Sequence, residues 1–145
     1  MELLQSAAGQ HHEQALTALA QHTYLHGDRA EARTLVTKAA KLRYLPARAQ
    51  LAWWIATDSD SDATLAREAI SLIRDIAITS QQWQYLDTLA AALARLGDYD
   101  SALVQQAAAL QSAANEPEQV IEILRAREHL YQQRQPFTAA SGEHP

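Results

Sequence analysis

Apolar residues recur every three or four positions along most of the 145-residue chain, and polar residues fill the positions between them. This spacing matches the turn of an α-helix, whereas no stretch shows the alternation with a period of two that is typical of a strand. The pattern predicts an all-α protein with helices over residues 11–26, 29–43, 46–57, 63–78, 82–96, 99–114 and 117–134.

The short breaks between these helices carry residues that end or begin a helix. Gly27 and Gly97 follow predicted helix ends, where the chain often takes up the left-handed conformation that glycine tolerates. Asp28 and Asn115 each stand three residues before a glutamate, which is the spacing of a capping box. These signals predict compact turns between successive helices.

A pattern of small and large residues repeats along the chain. Ala32, Ala69 and Ala102 lie 37 and 33 residues apart. Sixteen positions before these alanines stand large apolar residues, and seven positions after them stand further apolar residues: Leu16, Trp53 and Leu86, then Ala39, Ile76 and Ala109. A repeat of this length indicates a solenoid of helical hairpins, in which a small residue lets two helices approach closely.

The repeated unit resembles the tetratricopeptide repeat family. The third unit, WQYLDTLAAALARLGDYDSALVQQAAALQSA, is the best match and fills the family positions with Leu86, Leu89, Ala90, Leu93, Gly97, Tyr99, Ala102 and Ala109. The first unit matches with Leu16, Leu19, Ala20, Gly27, Ala32 and Ala39. The second unit is divergent, because its turn, DSDSD, has no glycine. Gln106 departs from the family, which usually has a large apolar or aromatic residue there.

The resemblance covers about residues 13–137 and implies a right-handed superhelix of about three repeats with a C-terminal capping helix. The implied repeats lie at about 13–45, 46–80 and 83–114, and the cap at about 117–134. Leu124 and Tyr131 are among the cap residues expected to face inward, with Val120 and Ile123, whereas Arg127 is among those expected to face outward, with Glu118, Glu122, Arg125 and Glu128. The divergent second unit and the terminal LYQQRQPF are similar to a group of bacterial members of the family.

In this family, the first helix of each repeat lines a concave surface that binds peptides or partner helices. The resemblance therefore implies a non-catalytic protein-interaction scaffold. The implied partner-binding groove contains Gln14, Thr17, Gln21, Tyr24, Leu51, Trp54, Asp58, Gln84, Asp87, Ala91 and Arg95. The alternative is a structural segment of a larger repeat protein that forms homo-oligomers through an exposed repeat end.

Composition and charge limit the remaining classes. With 48% hydrophobic residues, the chain is expected to form a single domain over residues 1–137, and residues 138–145 lose the periodicity and are expected to be a flexible tail. The net charge of -5 argues against a general nucleic-acid binder. No apolar run is long enough for a membrane span, and the first residues do not resemble a signal peptide. The compartment stays unassigned, with the cytoplasm as the default.

Candidate chemistry is sparse. His22 and His26 share a helical face, but a catalytic zinc normally needs a third protein ligand. The segment from Asp58 to Asp62 begins like a calcium loop without the glycine and glutamate that such a loop requires, so Asp62 or Ser61 is instead expected to cap the next helix. The chain has no cysteine and none of the common catalytic or phosphate-binding motifs. The expectation is therefore no enzyme activity, no cofactor and no metal.

The adjacent tryptophans are predicted to have different roles. Trp53 occupies the repeat position of Leu16 and Leu86 and is expected in the core. Trp54 occupies the position of Thr17 and Asp87, which are polar, and is expected to line the groove as an anchor for a partner. The alternative is that Trp54 fills space beside a divergent turn.

Overall fold

In a computed structural model, the backbone is described for residues 2–26, 28–41 and 44–139, and the side chains for residues 14–139 except 27, 29, 39, 40, 42 and 43. The described residues form seven α-helices: α1 (Glu2–Leu25), α2 (Arg29–Lys41), α3 (Leu45–Thr57), α4 (Ala63–Ser80), α5 (Trp83–Leu96), α6 (Tyr99–Ser112) and α7 (Glu118–Gln132). None of these residues is in a strand. The predicted all-α class is confirmed.

Helices α2 to α7 begin and end within two residues of their predicted bounds. The predicted start of the first helix, residue 11, is wrong, because α1 begins at Glu2. Residues 2–10 contain Glu, Leu, Gln and Ala, which favour helix, but Gly9 interrupts them and no capping residue precedes them. Sequence periodicity alone therefore placed the start too late.

Two of the predicted N-terminal caps are confirmed and one is wrong. An Asp28 carboxylate oxygen accepts the backbone N–H three residues ahead at 3.1 Å, and Asp62 does the same at 2.9 Å. Asn115 does not cap α7, whose N-cap is Pro117 with no side-chain hydrogen bond. A proline with an extended backbone can begin a helix by itself, since its φ angle is already close to the helical value.

The turn between α5 and α6 has the predicted chemistry. Gly97 has a φ angle of +95°, in the left-handed region, and its N–H donates to the Ala94 carbonyl at 2.9 Å. The next residue, Asp98, accepts the Ser101 N–H at 3.2 Å and so begins α6. Only glycine takes up this φ angle without a steric cost, so α5 ends here and α6 begins two residues later. The corresponding Gly27 lies outside the described residues.

The chain divides into two compact units, the first ending at Leu51 and the second extending over Ala52–Ala139. In the first unit, α1 packs against α2. In the second, α5 packs against both α4 and α6, and α6 packs against α7. The predicted pairings of α1 with α2 and of α5 with α6 are confirmed. The single domain and the superhelix stay predictions.

Helix α5 is deeply buried in the second unit. Every side chain from Leu86 to Ala94 is buried. Alanines on several faces make this possible, since they allow neighbouring helices to pack closely on more than one side. Among the described helices, none is both long and apolar enough to cross a lipid bilayer.

The repeated alanines occupy fully buried positions. Ala32, Ala69 and Ala102 have no exposed surface. Of the large residues sixteen positions earlier, Trp53 and Leu86 are buried and Leu16 is half-buried. Burial at these positions agrees with the predicted need for small residues where helices meet.

We expect Ala102→Leu to lower the free energy of unfolding by about 1 to 3 kcal/mol, because the added carbons have no room in a filled interior. Ala107→Leu is the matched control, since Ala107 is exposed on the same helix. Chemical denaturation of both variants measures the difference. Equal midpoints for the two variants would show that Ala102 is not a close-packed position.

Candidate functional site

The last turn of α3 presents carbonyl groups that have no partner within their own helix. The Ala56 carbonyl accepts a hydrogen bond from Arg95 Nε at 2.9 Å. The Thr57 carbonyl accepts the Ala139 N–H at 3.1 Å. A guanidinium at the C-terminal end of a helix is also favoured by the helix dipole. The end of α3 is therefore bound by the Arg95 side chain of α5 and by the backbone N–H of Ala139.

Residues after α7 reach this position because the chain reverses at Arg134. This residue has a φ angle of +59°, and its N–H donates to the Tyr131 carbonyl at 3.0 Å. The Gln135 N–H donates to the Leu130 carbonyl at 2.9 Å, which completes a Schellman motif at the helix end. Pro136 follows and has no N–H to continue a helix. The chain thus leaves α7 abruptly.

The segment Pro136–Ala139, here called the tail segment, has no helix or strand structure. Arg95 Nη2 donates to its Phe137 carbonyl and to its Thr138 hydroxyl, both at 2.9 Å. Ala139 is buried, with 7% of its surface exposed. The expectation of a flexible tail is therefore wrong for Thr138 and Ala139, since both make hydrogen bonds to the helices. Residues 140–145 lie outside the described residues.

The Phe137 side chain lies against the guanidinium of Arg127. The guanidinium carbon is 4.4 Å from the centre of the Phe137 ring and 4.7 Å from the centre of the Trp53 ring. The two rings themselves are 5.8 Å apart and inclined by 37°. The distances from the guanidinium carbon to the two ring centres are both within the range of a cation–π interaction. We call Trp53, Ala56, Thr57, Arg95 and Arg127 together the Arg95 site.

Arg127 also belongs to a buried polar cluster with Asp87 and Gln106. Arg127 Nη1 donates to one Asp87 carboxylate oxygen, and Gln106 Nε2 donates to the other at 3.2 Å. Gln106 Nε2 also donates to the Leu124 carbonyl at 2.9 Å. These bonds join α5, α6 and α7 and fix the position of Arg127 beside the tail segment.

Burial shifts the titration of the groups in this region. It raises the pKa of the Asp87 carboxyl, and the Arg127 charge and the two hydrogen bonds act in the opposite direction. It lowers the pKa of the Arg95 guanidinium, whereas the Asp58 carboxylate raises it. Burial also raises the pKa of the Tyr131 phenol, which stays neutral. Arginine does not lose its proton in proteins, so Arg95 presents a positive charge to the tail segment.

The structure divides the predicted groove residues by accessibility. Gln14 and Gln84 are exposed. Gln21, Asp58 and Arg95 are half-buried, and Gln21 Nε2 donates to Gln50 Oε1 at 3.1 Å. The remaining six are buried and are not available to a partner in this conformation: Thr17, Tyr24, Leu51, Trp54, Asp87 and Ala91.

Asp87 and Arg127 are buried for one shared physical reason. Asp87 is polar because it forms an ion pair with Arg127, and not because it faces solvent. The expectation that Arg127 faces outward is accordingly wrong, since only 7% of its surface is exposed. Trp54 has 1% exposure and is not an accessible anchor. Ile123, expected to face inward, is instead 51% exposed.

Sequence reasoning identified Arg95 but missed its partners. Ala56, Thr57 and Ala139 take part through backbone atoms, which no side-chain pattern reveals. In the sequence, Phe137 is distinguished only as the last residue of the terminal LYQQRQPF. Gln106 is the one residue whose type indicates the buried polar cluster. The resemblance implies an apolar residue at this position, and a buried amide in its place needs a hydrogen-bond partner.

His22, in the last turn of α1, and His26, directly after this helix, lie close to each other. The His22 and His26 rings are 4.1 Å apart, and His26 Nδ1 lies 2.7 Å from the His22 carbonyl oxygen. In the part of the chain that the structure describes, no three side chains of the usual metal-ligating types lie together.

No family model matches the chain, and no curated protein or solved structure is significantly similar to it.

Proposed function

We propose that the protein is a non-catalytic interaction module whose second unit binds a short, non-helical segment of a partner protein at the Arg95 site. The observation that supports this most strongly is the tail segment. The site binds its Phe137 carbonyl and its Ala139 N–H, together with the Thr138 hydroxyl. A surface that binds backbone groups of one polypeptide segment has the chemistry to bind another.

The resemblance to tetratricopeptide repeats supports the same proposal. The resemblance implies that Arg95 lies in the peptide-binding groove. In the structure, this side chain donates a hydrogen bond to the backbone of the tail segment. In this proposal the helical repeats are the scaffold, and the partner is a protein or peptide. The Arg95 guanidinium provides donors for carbonyl groups, and the aromatic and cationic surface of Trp53 and Arg127 provides a place for one aromatic side chain.

Selection from displayed random peptides tests this proposal. The first bait is the full chain with Phe137→Ala, a change that weakens the binding of the tail segment to the Arg95 site. The second bait carries both Phe137→Ala and Arg95→Ala. We expect peptides with one aromatic residue to be enriched on the first bait. Their binding should weaken at least about tenfold on the second, because a hydrogen bond to a charged group contributes about 1.5 to 3 kcal/mol.

A matched control adds Arg125→Ala instead, since Arg125 is exposed on α7. Peptides selected on the first bait should bind this control equally well. The proposal fails if no peptide distinguishes the first bait from the Arg95→Ala bait.

A further inference from the structure

The chain's own tail segment occupies the hydrogen-bonding groups that a partner segment needs. Arg95 Nη2 is directed at the Phe137 carbonyl and the Thr138 hydroxyl, and the Thr57 carbonyl accepts the Ala139 N–H. The face of Arg127 is covered by the Phe137 ring. A second segment cannot use these groups at the same time, so it must compete with the tail segment.

The tail segment buries only part of its surface. Thr138 is exposed, Pro136 and Phe137 are half-buried, and only Ala139 is buried. Segments with few buried contacts open at a low free-energy cost. The segment follows α7 after three residues, so its effective concentration at the site is high. It is therefore bound by default and readily displaced.

We propose that the tail segment is an intramolecular competitor, and that the partner of this site presents a segment of the same chemistry. That segment has an aromatic residue, then a residue with a hydroxyl group, then a small residue. The aromatic ring packs on Arg127, the hydroxyl accepts from Arg95, and the small side chain fits the buried position of Ala139. This inference rests on the proposed function.

A labelled peptide with the sequence of residues 134–139, RQPFTA, is the probe for this competition. Fluorescence anisotropy compares its affinity for the unaltered full chain and for the full chain with Phe137→Ala. We expect the variant to bind about tenfold more tightly, which corresponds to a tail segment that occupies the site about nine-tenths of the time. A Gln135→Ala chain is the control, since the Gln135 side chain is exposed and should leave the affinity unchanged.

The outcomes separate this inference from the proposed function. Equal affinity of the two chains, with binding that Arg95→Ala abolishes, overturns the competition and leaves peptide binding in place. No Arg95-dependent binding by either chain overturns both. Sedimentation equilibrium could instead show a dimer that dissociates when the peptide is added. That result would overturn competition within one chain, because the tail segment of a second copy would then fill the site.

A second measurement needs no substitution and so does not depend on how Phe137→Ala folds. The chain has a single phenylalanine, so isotope labelling of phenylalanine reports only on Phe137. In the unaltered chain its ring signals should be shifted by the Trp53 ring. An excess of unlabelled RQPFTA peptide should move them to the values of a free ring. Unchanged ring signals in the presence of bound peptide would overturn the competition.

Discussion

Replacement of Arg127 by methionine is expected to lower the free energy of unfolding by about 3 to 5 kcal/mol, because it leaves a buried carboxylate without its counter-ion. Asp87 has no exposed surface, so solvent cannot replace the lost guanidinium. The change also removes the cationic surface on which Phe137 packs. Urea denaturation followed by circular dichroism measures the loss.

Arg125→Met is the matched control for this prediction, since Arg125 is exposed on the same helix. Its free energy of unfolding should stay close to that of the parent chain. A double variant with Arg127→Met and Asp87→Leu should recover much of the loss, because replacement of both partners by apolar residues removes the unpaired charge. Equal stability of Arg127→Met and Arg125→Met would contradict the buried ion pair.

Both adjacent tryptophans are expected to be required for stability. Trp53 and Trp54 each have 1% of their surface exposed. Trp53→Ala and Trp54→Ala should each cost about 3 to 5 kcal/mol, since removal of a buried tryptophan leaves a large cavity. This differs from the sequence-based expectation that Trp54 lines the groove as an anchor for a partner, which would make the residue dispensable for folding.

The third tryptophan provides the control. Trp83 is half-buried at the start of α5, and its Nε1 donates to Glu116 at 3.3 Å. Trp83→Ala should therefore cost clearly less than either of the other two changes. If Trp54→Ala unfolds at the same denaturant concentration as Trp83→Ala, Trp54 does not have the buried role that its exposure indicates.

Helix positions could be predicted from the sequence because the signals that set them are local. The apolar period of α4, the cap at Asp62 and the left-handed Gly97 all act within a few residues of their own position. The missed start of α1 shows the limit of this reasoning. Where neither a cap nor a regular apolar period is present, helix propensity alone must fix the start, and its effect per residue is small.

Which polar residues are buried could not be predicted, because that depends on partners distant in the chain. Asp87 and its partner Arg127 are 40 residues apart and lie on helices α5 and α7. Each residue taken alone has the pattern of an exposed position. The partners of Arg95 were missed for a related reason, since three of the four hydrogen bonds between the tail segment, Arg95 and α3 end on backbone carbonyl groups, which every residue has.

Amide hydrogen exchange at Ala139 tests most directly whether the Arg95 site holds a polypeptide segment. In the parent chain, this N–H donates to the Thr57 carbonyl and should exchange about tenfold more slowly than an amide in an unstructured peptide, because the tail segment is expected to leave the site about one-tenth of the time. Arg95→Gln should abolish this protection and leave the amides of α5 and α6 protected, whereas the control Arg125→Gln should have no effect. Exchange at Ala139 as fast as in a free peptide, in the parent chain itself, would contradict peptide binding at this site.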